Sequence, residues 1–215
     1  MGDLKKNLLI TGLPGVGKTT LIRGLAQKLK DFNPIGFYTT EIREVGIRKG
    51  FELVDLNGRR RVLSHVDLRS RHRVGRYKVD IDGFENFLTS LPFGDPRRKM
   101  AIIDEIGKME CCSTRFREIL LELLDSQRWV IATIALKGGG IIEETKRRQD
   151  VRLFEIHLGN RESLTAEVLK AIGVSDARGD DRSHGLFRVS RGRESKDLRV
   201  PREAYYRGRN PEKMG

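Results

Sequence analysis

Gly12-Leu13-Pro14-Gly15-Val16-Gly17-Lys18-Thr19 fits the pattern G-x-x-x-x-G-K-[ST], and the residues on either side of it decide the fold. Residues 6–11 form a short apolar run that ends in this Gly/Pro-rich turn. Residues 19–29 then set Leu21, Ile22, Leu25 and Leu29 at helical spacing. The reading is strand, loop, helix, the context in which this spacing binds phosphate. Glycines let the backbone curl so that successive N–H groups face an anion, and the helix that follows turns its positive end to the same point. Lys18 places a charge at the β- and γ-oxygens of a triphosphate. Thr19 offers a hydroxyl to Mg²⁺, which prefers hard oxygen ligands.

Further along, residues 35–42 read as a second strand. Residues 50–56 and 61–66 flank Asn57-Gly58, which predicts a tight hairpin because both residues tolerate positive φ. The stretch from about 43 to 80 is therefore expected to be an antiparallel hairpin insertion. Residues 84–91 predict a short amphipathic helix, 99–104 a buried strand, 113–126 a helix capped by Ser113, and 129–135 another buried strand. Segments 141–149, 151–157 and 162–172 supply helix, strand and helix. Strands alternating with helices in this way predict an α/β fold, a doubly wound and mainly parallel sheet covered on both faces.

Met100-Ala101-Ile102-Ile103-Asp104-Glu105 is an apolar run ending in two carboxylates. A buried strand of this kind delivers both acids to the carboxyl edge of the sheet, where open α/β sheets bind their ligands. Asp104 is suited to hold Mg²⁺ and Glu105 to orient and deprotonate an attacking water. A second acid directly after the metal acid favours hydrolysis over transfer to another acceptor.

The 215 residues have room for one such domain, 1–173, followed by a basic segment, 174–215, with eleven Lys plus Arg against seven Asp plus Glu. That segment is expected to be disordered and is the candidate contact for nucleic acid. The net charge of +12 suits either a polynucleotide or a polyanionic triphosphate. No apolar run approaches the roughly 20 residues that span a bilayer, and the N-terminus lacks a secretory apolar region, so the expectation is a cytoplasmic protein. Cys111 and Cys112 are adjacent, which is poor spacing for a disulfide or a metal, and are read as half-buried apolar residues. His65, His72, His157 and His184 lack ligand spacing.

Beyond the phosphate-binding loop, the chain resembles the small nucleoside-triphosphatases of archaea and thermophilic bacteria, a family with a human cancer-related member. The resemblance rests on Asp104-Glu105-Ile106-Gly107-Lys108-Met109-Glu110, on Gly36-Phe37-Tyr38-Thr39 with Glu41-Ile42-Arg43 and Arg48-Lys49-Gly50-Phe51, on Val74-Gly75-Arg76-Tyr77, and on Asn160-Arg161. It implies that the strand at 129–135 lies between the phosphate-loop strand and the Asp104 strand, with Thr133 as a sensor of the γ-phosphate. It also implies Mg²⁺-dependent hydrolysis of ATP, GTP, CTP and UTP to diphosphate and phosphate. The nucleotide-binding set then comprises Gly12, Leu13, Pro14, Gly15, Val16, Gly17, Lys18, Thr19, Thr20, Asp104, Glu105, Ile106, Gly107, Lys108, Asn160 and Arg161, with Thr19 and Asp104 on the metal. Arg43, Arg48, Lys108 and Arg161 are candidates to stabilise transition-state charge, Arg48 and Lys108 being favoured because they lie in the more specific strings. Two other readings stand beside hydrolysis: a nucleotide or polynucleotide kinase, and a nucleic-acid-associated nucleotide switch.

Overall fold

A computed structural model describes residues 5–174, so the predicted basic segment lies, apart from Val174, outside the described residues. The first strand, β1 (Asn7–Thr11), is buried along its whole length and runs through the glycine loop into helix α1 (Lys18–Lys28). Its alternate residues serve two cores. Leu8 and Ile10 pack with Leu21, Ile22 and Leu25 of α1 and with Leu164 and Val168 of α5 (Arg161–Ala171). Leu9 packs in the opposite layer with Phe84 of α2 (Ile81–Thr89), Phe116 and Leu120 of α3 (Thr114–Asp125) and Ile142 of α4 (Ile141–Arg147). Helices therefore cover both faces of the sheet, which is why the central strands are nearly continuous in apolar residues.

The parallel part of the sheet consists of β2 (Ile35–Glu44), β7 (Met100–Ile106), β8 (Trp129–Ile134), β1 and β9 (Val151–Glu155), in that spatial order. The strand at 129–134 lies between the loop strand and the Asp104 strand, the order that the resemblance implies. Strand β2 approaches β7 closely because residue 36 is glycine: a Cβ there, at φ 140°, would stand 1.8 Å from the carbonyl oxygen of Ile102. Phe37, next along β2, meets Phe84 and Phe87 edge-on, each with ring centroids 5.9 Å away. Ser113 caps α3 as expected, its hydroxyl accepting from the Phe116 N–H at 2.9 Å.

The expected antiparallel insertion is present: β3 (Ile47–Asp55), β4 (Arg60–His65), β6 (Tyr77–Val79) and β5 (Arg73–Val74) pair antiparallel and continue the nine-stranded sheet outward from β2. Asn57-Gly58 lies in the hairpin turn between β3 and β4 as expected, but of the two residues only Gly58 takes a positive φ, 93°. The Asp55 carboxylate accepts from the N–H groups of Asn57 and Arg59, both at 2.9 Å, and so holds a longer loop. A two-residue turn joins β2 to β3 at Val45-Gly46, with φ of 46° and 76°. Finally, β7 does not stop at Asp104 but runs to Ile106, which is buried and pairs with Ile134 across an irregularity in the β7/β8 register. Among the described residues no helix is long and apolar enough to cross a membrane.

Candidate active site

The loop Gly12–Thr19 leaves the carboxyl end of β1 and closes on the first turn of α1. Gly17 precedes that helix at φ 105° and ψ 21°, a conformation that disfavours a side chain, and a Cβ there would lie 2.9 Å from the Arg161 guanidinium. Arg161, the first residue of α5, reaches across to donate from Nε to the Val16 carbonyl at 2.6 Å. Lys18 is almost wholly buried, and its ammonium lies inside the curl, 3.0 Å from the Gly12 carbonyl and 3.3 Å from that of Leu13.

Asp104 is 1% exposed and gathers donors from three directions. Thr19 Oγ1 donates to its Oδ2 at 2.7 Å from α1. Thr133 Oγ1 donates to Oδ1 at 2.6 Å from the end of β8. From β2, the hydroxyl and backbone N–H of Thr39 approach Oδ2 at 3.3 and 3.4 Å. A buried carboxylate ringed by neutral donors suits a cation as a further partner, since hydroxyls alone offset little of its charge. Among the described residues no group of three or more His, Cys, Asp and Glu side chains is placed to hold a metal ion. An ion here would take Thr19 and Asp104 as ligands and complete its shell with phosphate oxygens and water, a demand that fits Mg²⁺.

Glu105 follows Asp104 through a cis peptide bond and is partly exposed. Burial pushes its carboxyl above the usual range; Lys18 pulls it down and Asp104 adds to the rise. The site thus holds two neighbouring acids, Asp104 hydrogen-bonded on both oxygens and Glu105 governed by burial and by the charges of Lys18 and Asp104.

The remaining expected residues divide. Ile106 and Gly107 are buried behind the acids, whereas the Lys108 side chain is exposed. Thr20 opens α1 beside Thr19, while Leu13 stands 65% exposed at the rim of the loop. Asn160 braces the turn before α5, accepting from the His157 N–H and donating to the Glu155 carbonyl, each at 2.8 Å. Of the four candidate cations, Arg161 touches the phosphate loop. Arg48 instead bonds the Tyr77 hydroxyl at 3.0 Å and Glu41 at 2.7 Å on the antiparallel extension, and Arg43 pairs with Glu41 at 2.6 Å. The sequence alone gives Thr39 no role. A threonine midway along the second strand was the available sign, but only the pairing of β2 with β7 brings it to Asp104.

A buried-strand acid beside a phosphate loop at the carboxyl edge of a doubly wound sheet defines the P-loop class of nucleoside-triphosphatases. The sequence matches the NTPase family over residues 7–169, and the chain belongs to that family, as an enzyme of the nucleoside-triphosphatase type. It is 44% identical to the nucleoside-triphosphatase THEP1 of Thermotoga sp. (strain RQ2) over 166 residues, 77% of this chain and 94% of that protein. It is 37% identical to the human cancer-related nucleoside-triphosphatase over 188 residues, 80% of this chain and 99% of that one. The crystal structure of THEP1 from Aquifex aeolicus superposes with a TM-score of 0.67 at 32% identity, covering 76% of this chain and 97% of that one.

Proposed function

We propose that this enzyme hydrolyses Mg²⁺-bound nucleoside 5′-triphosphates, ATP, GTP, CTP and UTP among them, to the diphosphate and phosphate. The observation that carries the reading is the 2.7 Å contact between Thr19 and Asp104, which joins the loop that would cradle the phosphates to the strand acid that would hold their metal. Loop N–H groups and Lys18 would bind the β- and γ-oxygens, and Arg161, already bonded to the loop, would add positive charge along the phosphate chain. Bound Mg²⁺ would supply charge neutralisation at the β- and γ-oxygens.

Glu105 accepts a proton from water as the water oxygen bonds the γ-phosphorus and the bond from phosphorus to the bridging oxygen breaks. Its burial-raised proton affinity suits that task, because a general base works best when its pKa approaches the working pH. Arg48, held by Tyr77 and Glu41, and the exposed Lys108 would reach the phosphates only by rearrangement, so Arg161 is the better supported source of transition-state charge.

A phosphate-release assay across the four triphosphates, with Mg²⁺ or EDTA, tests this reading. Mg²⁺-dependent release of one phosphate per nucleotide is expected from each. Phosphate that instead leaves on an added nucleoside or 5′-hydroxyl oligonucleotide would identify a kinase. Cytoplasmic placement, and a nucleic-acid contact through residues 174–215, belong to the same proposal. A salt-dependent binding isotherm lost on deleting that segment tests the contact.

A further inference from the structure

Glu110, the last acid of the 104–110 string, takes no direct part in the proposed hydrolysis. It is 5% exposed and opens a single 3-10 turn, Glu110–Cys112, just after β7. Its carboxyl folds back to accept from the backbone N–H of Gly107 and of its own residue. A Cβ at Gly107 would stand 2.8 Å from Glu110 Oε2 and 3.6 Å from Glu105 Cδ. Little more than the room of one absent methyl group therefore separates the two carboxyls, and glycine at 107 is what permits the approach.

We propose that Glu110 is a positioning residue for Glu105: folded back on the Gly107 peptide, its carboxyl backs the base from within the fold and fixes the direction in which it points. This rests on the reading of Glu105 as the base. The acid occupies the space behind Glu105, so water does not solvate the base from that side. It also does so without charge at neutral pH. Burial outweighs the two N–H groups, and repulsion from Glu105 and Asp104 acts with burial, so that the Glu110 carboxyl is pushed up to about 8.

The charged and titratable groups around this point are Asp104 and Glu105 from β7 and Cys111 and Cys112 from the turn. Arg117 of α3 acts on the two thiols, and Lys18 acts on Glu105 from the loop. A neutral Glu110 spares Asp104 and Glu105 a third negative charge. An ionised one adds it beside the place where charge accumulates during phosphoryl transfer.

The test compares kcat and KM of the full-length wild type, Glu110→Gln and Glu105→Gln with Mg²⁺-ATP from pH 6 to 9.5. Wild-type kcat is expected to fall roughly tenfold between pH 7 and pH 9, as a neutral acid near 8 ionises. Glu110→Gln, which keeps the side chain's length and removes its ionisation, should lower kcat at pH 7 several-fold, leave KM within about twofold and abolish the alkaline fall. A Glu110→Gln profile parallel to wild type, or a changed KM with kcat retained, overturns the proposal. Should the variant not fold, the wild type decides. A kcat level from pH 7 to pH 9 with unchanged circular dichroism overturns the proposal; a fall reversed on return to pH 7 supports it. Glu105→Gln separates the two readings. If it turns over like wild type, the base assignment fails and the role of Glu110 falls with it. If it is inactive while Glu110→Gln keeps the wild-type profile, only the role of Glu110 fails.

Discussion

Thr133 Oγ1 donates to Asp104 Oδ1 at 2.6 Å between two fully buried ends of neighbouring strands, β8 and β7. Thr133→Val keeps the shape and removes the donor, leaving a buried carboxylate oxygen without its hydroxyl partner. The expected cost is about 1–3 kcal/mol, read as a lower urea midpoint. The Mg²⁺ concentration for half-maximal turnover should rise as well, because Asp104 loses the bond that orients it. An unchanged midpoint would mean that Asp104 finds another donor.

Glu105→Gln should retain triphosphate affinity while turnover drops by roughly 10²–10⁴-fold, since the amide cannot accept the proton. In the wild type the raised proton affinity of Glu105 gives a sign for the pH profile. The base must be ionised to act, so hydrolysis should fall on the acid side with a midpoint above the ordinary 4.5. Turnover that persists undiminished to pH 4.5 in folded enzyme would rule the assignment out.

Lys18→Ala removes a buried charge already aimed into the loop, and should slow hydrolysis by an amount corresponding to about 3–4 kcal/mol, with weaker triphosphate binding. Thr19→Ala should act mainly by raising the Mg²⁺ requirement. Wild-type kinetics for Lys18→Ala would exclude the loop from the mechanism.

Glu110 links stability to pH. Its folded value of about 8 lies above its ordinary 4.5, so the stability it contributes is complete below 4.5 and is lost as pH rises through 8. Between those limits the unfolded chain releases the proton and the folded chain keeps it, a slope approaching 1.36 kcal/mol per pH unit. Urea unfolding at pH 5.5 and 7.5 should therefore show wild type losing about 2 kcal/mol more than Glu110→Gln over that interval. Equal losses in the two proteins would mean that Glu110 titrates near its ordinary value.

Val45 is fully exposed and sits at φ 46° in the β2–β3 turn, where a β-branched side chain is disfavoured. Val45→Asn supplies the residue that such a turn prefers and should raise stability by about 1 kcal/mol, or the melting temperature by about 2–4 °C. A lower melting temperature would show that the valine makes a contact worth more than the strain.

Much of the fold was legible in short windows. The apolar runs of β1, β7 and β8 stand in unbroken blocks because helices cover both of their faces, and Ser113 announces a helix start because its hydroxyl serves a donor three residues away. The phosphate loop is equally local: eight consecutive residues carry the curl, the charge and the hydroxyl. Turn type was less legible, since a carboxylate at Asp55 captured the Asn57-Gly58 segment while a valine took the left-handed position at 45.

What only the tertiary structure decided is how distant residues meet. Thr19, Thr39 and Thr133 stand far apart in the chain and converge on Asp104 because β2, β7, β8 and β1 lie side by side in an order that long-range pairing sets. The same holds for Arg161 on the loop and Arg48 on Tyr77. Residue type and spacing mark which groups can do chemistry, because hydrogen-bonding capacity and helical or strand period are properties of a few neighbouring residues. Which group serves which partner depends on burial and register, and those exist only once the sheet has closed.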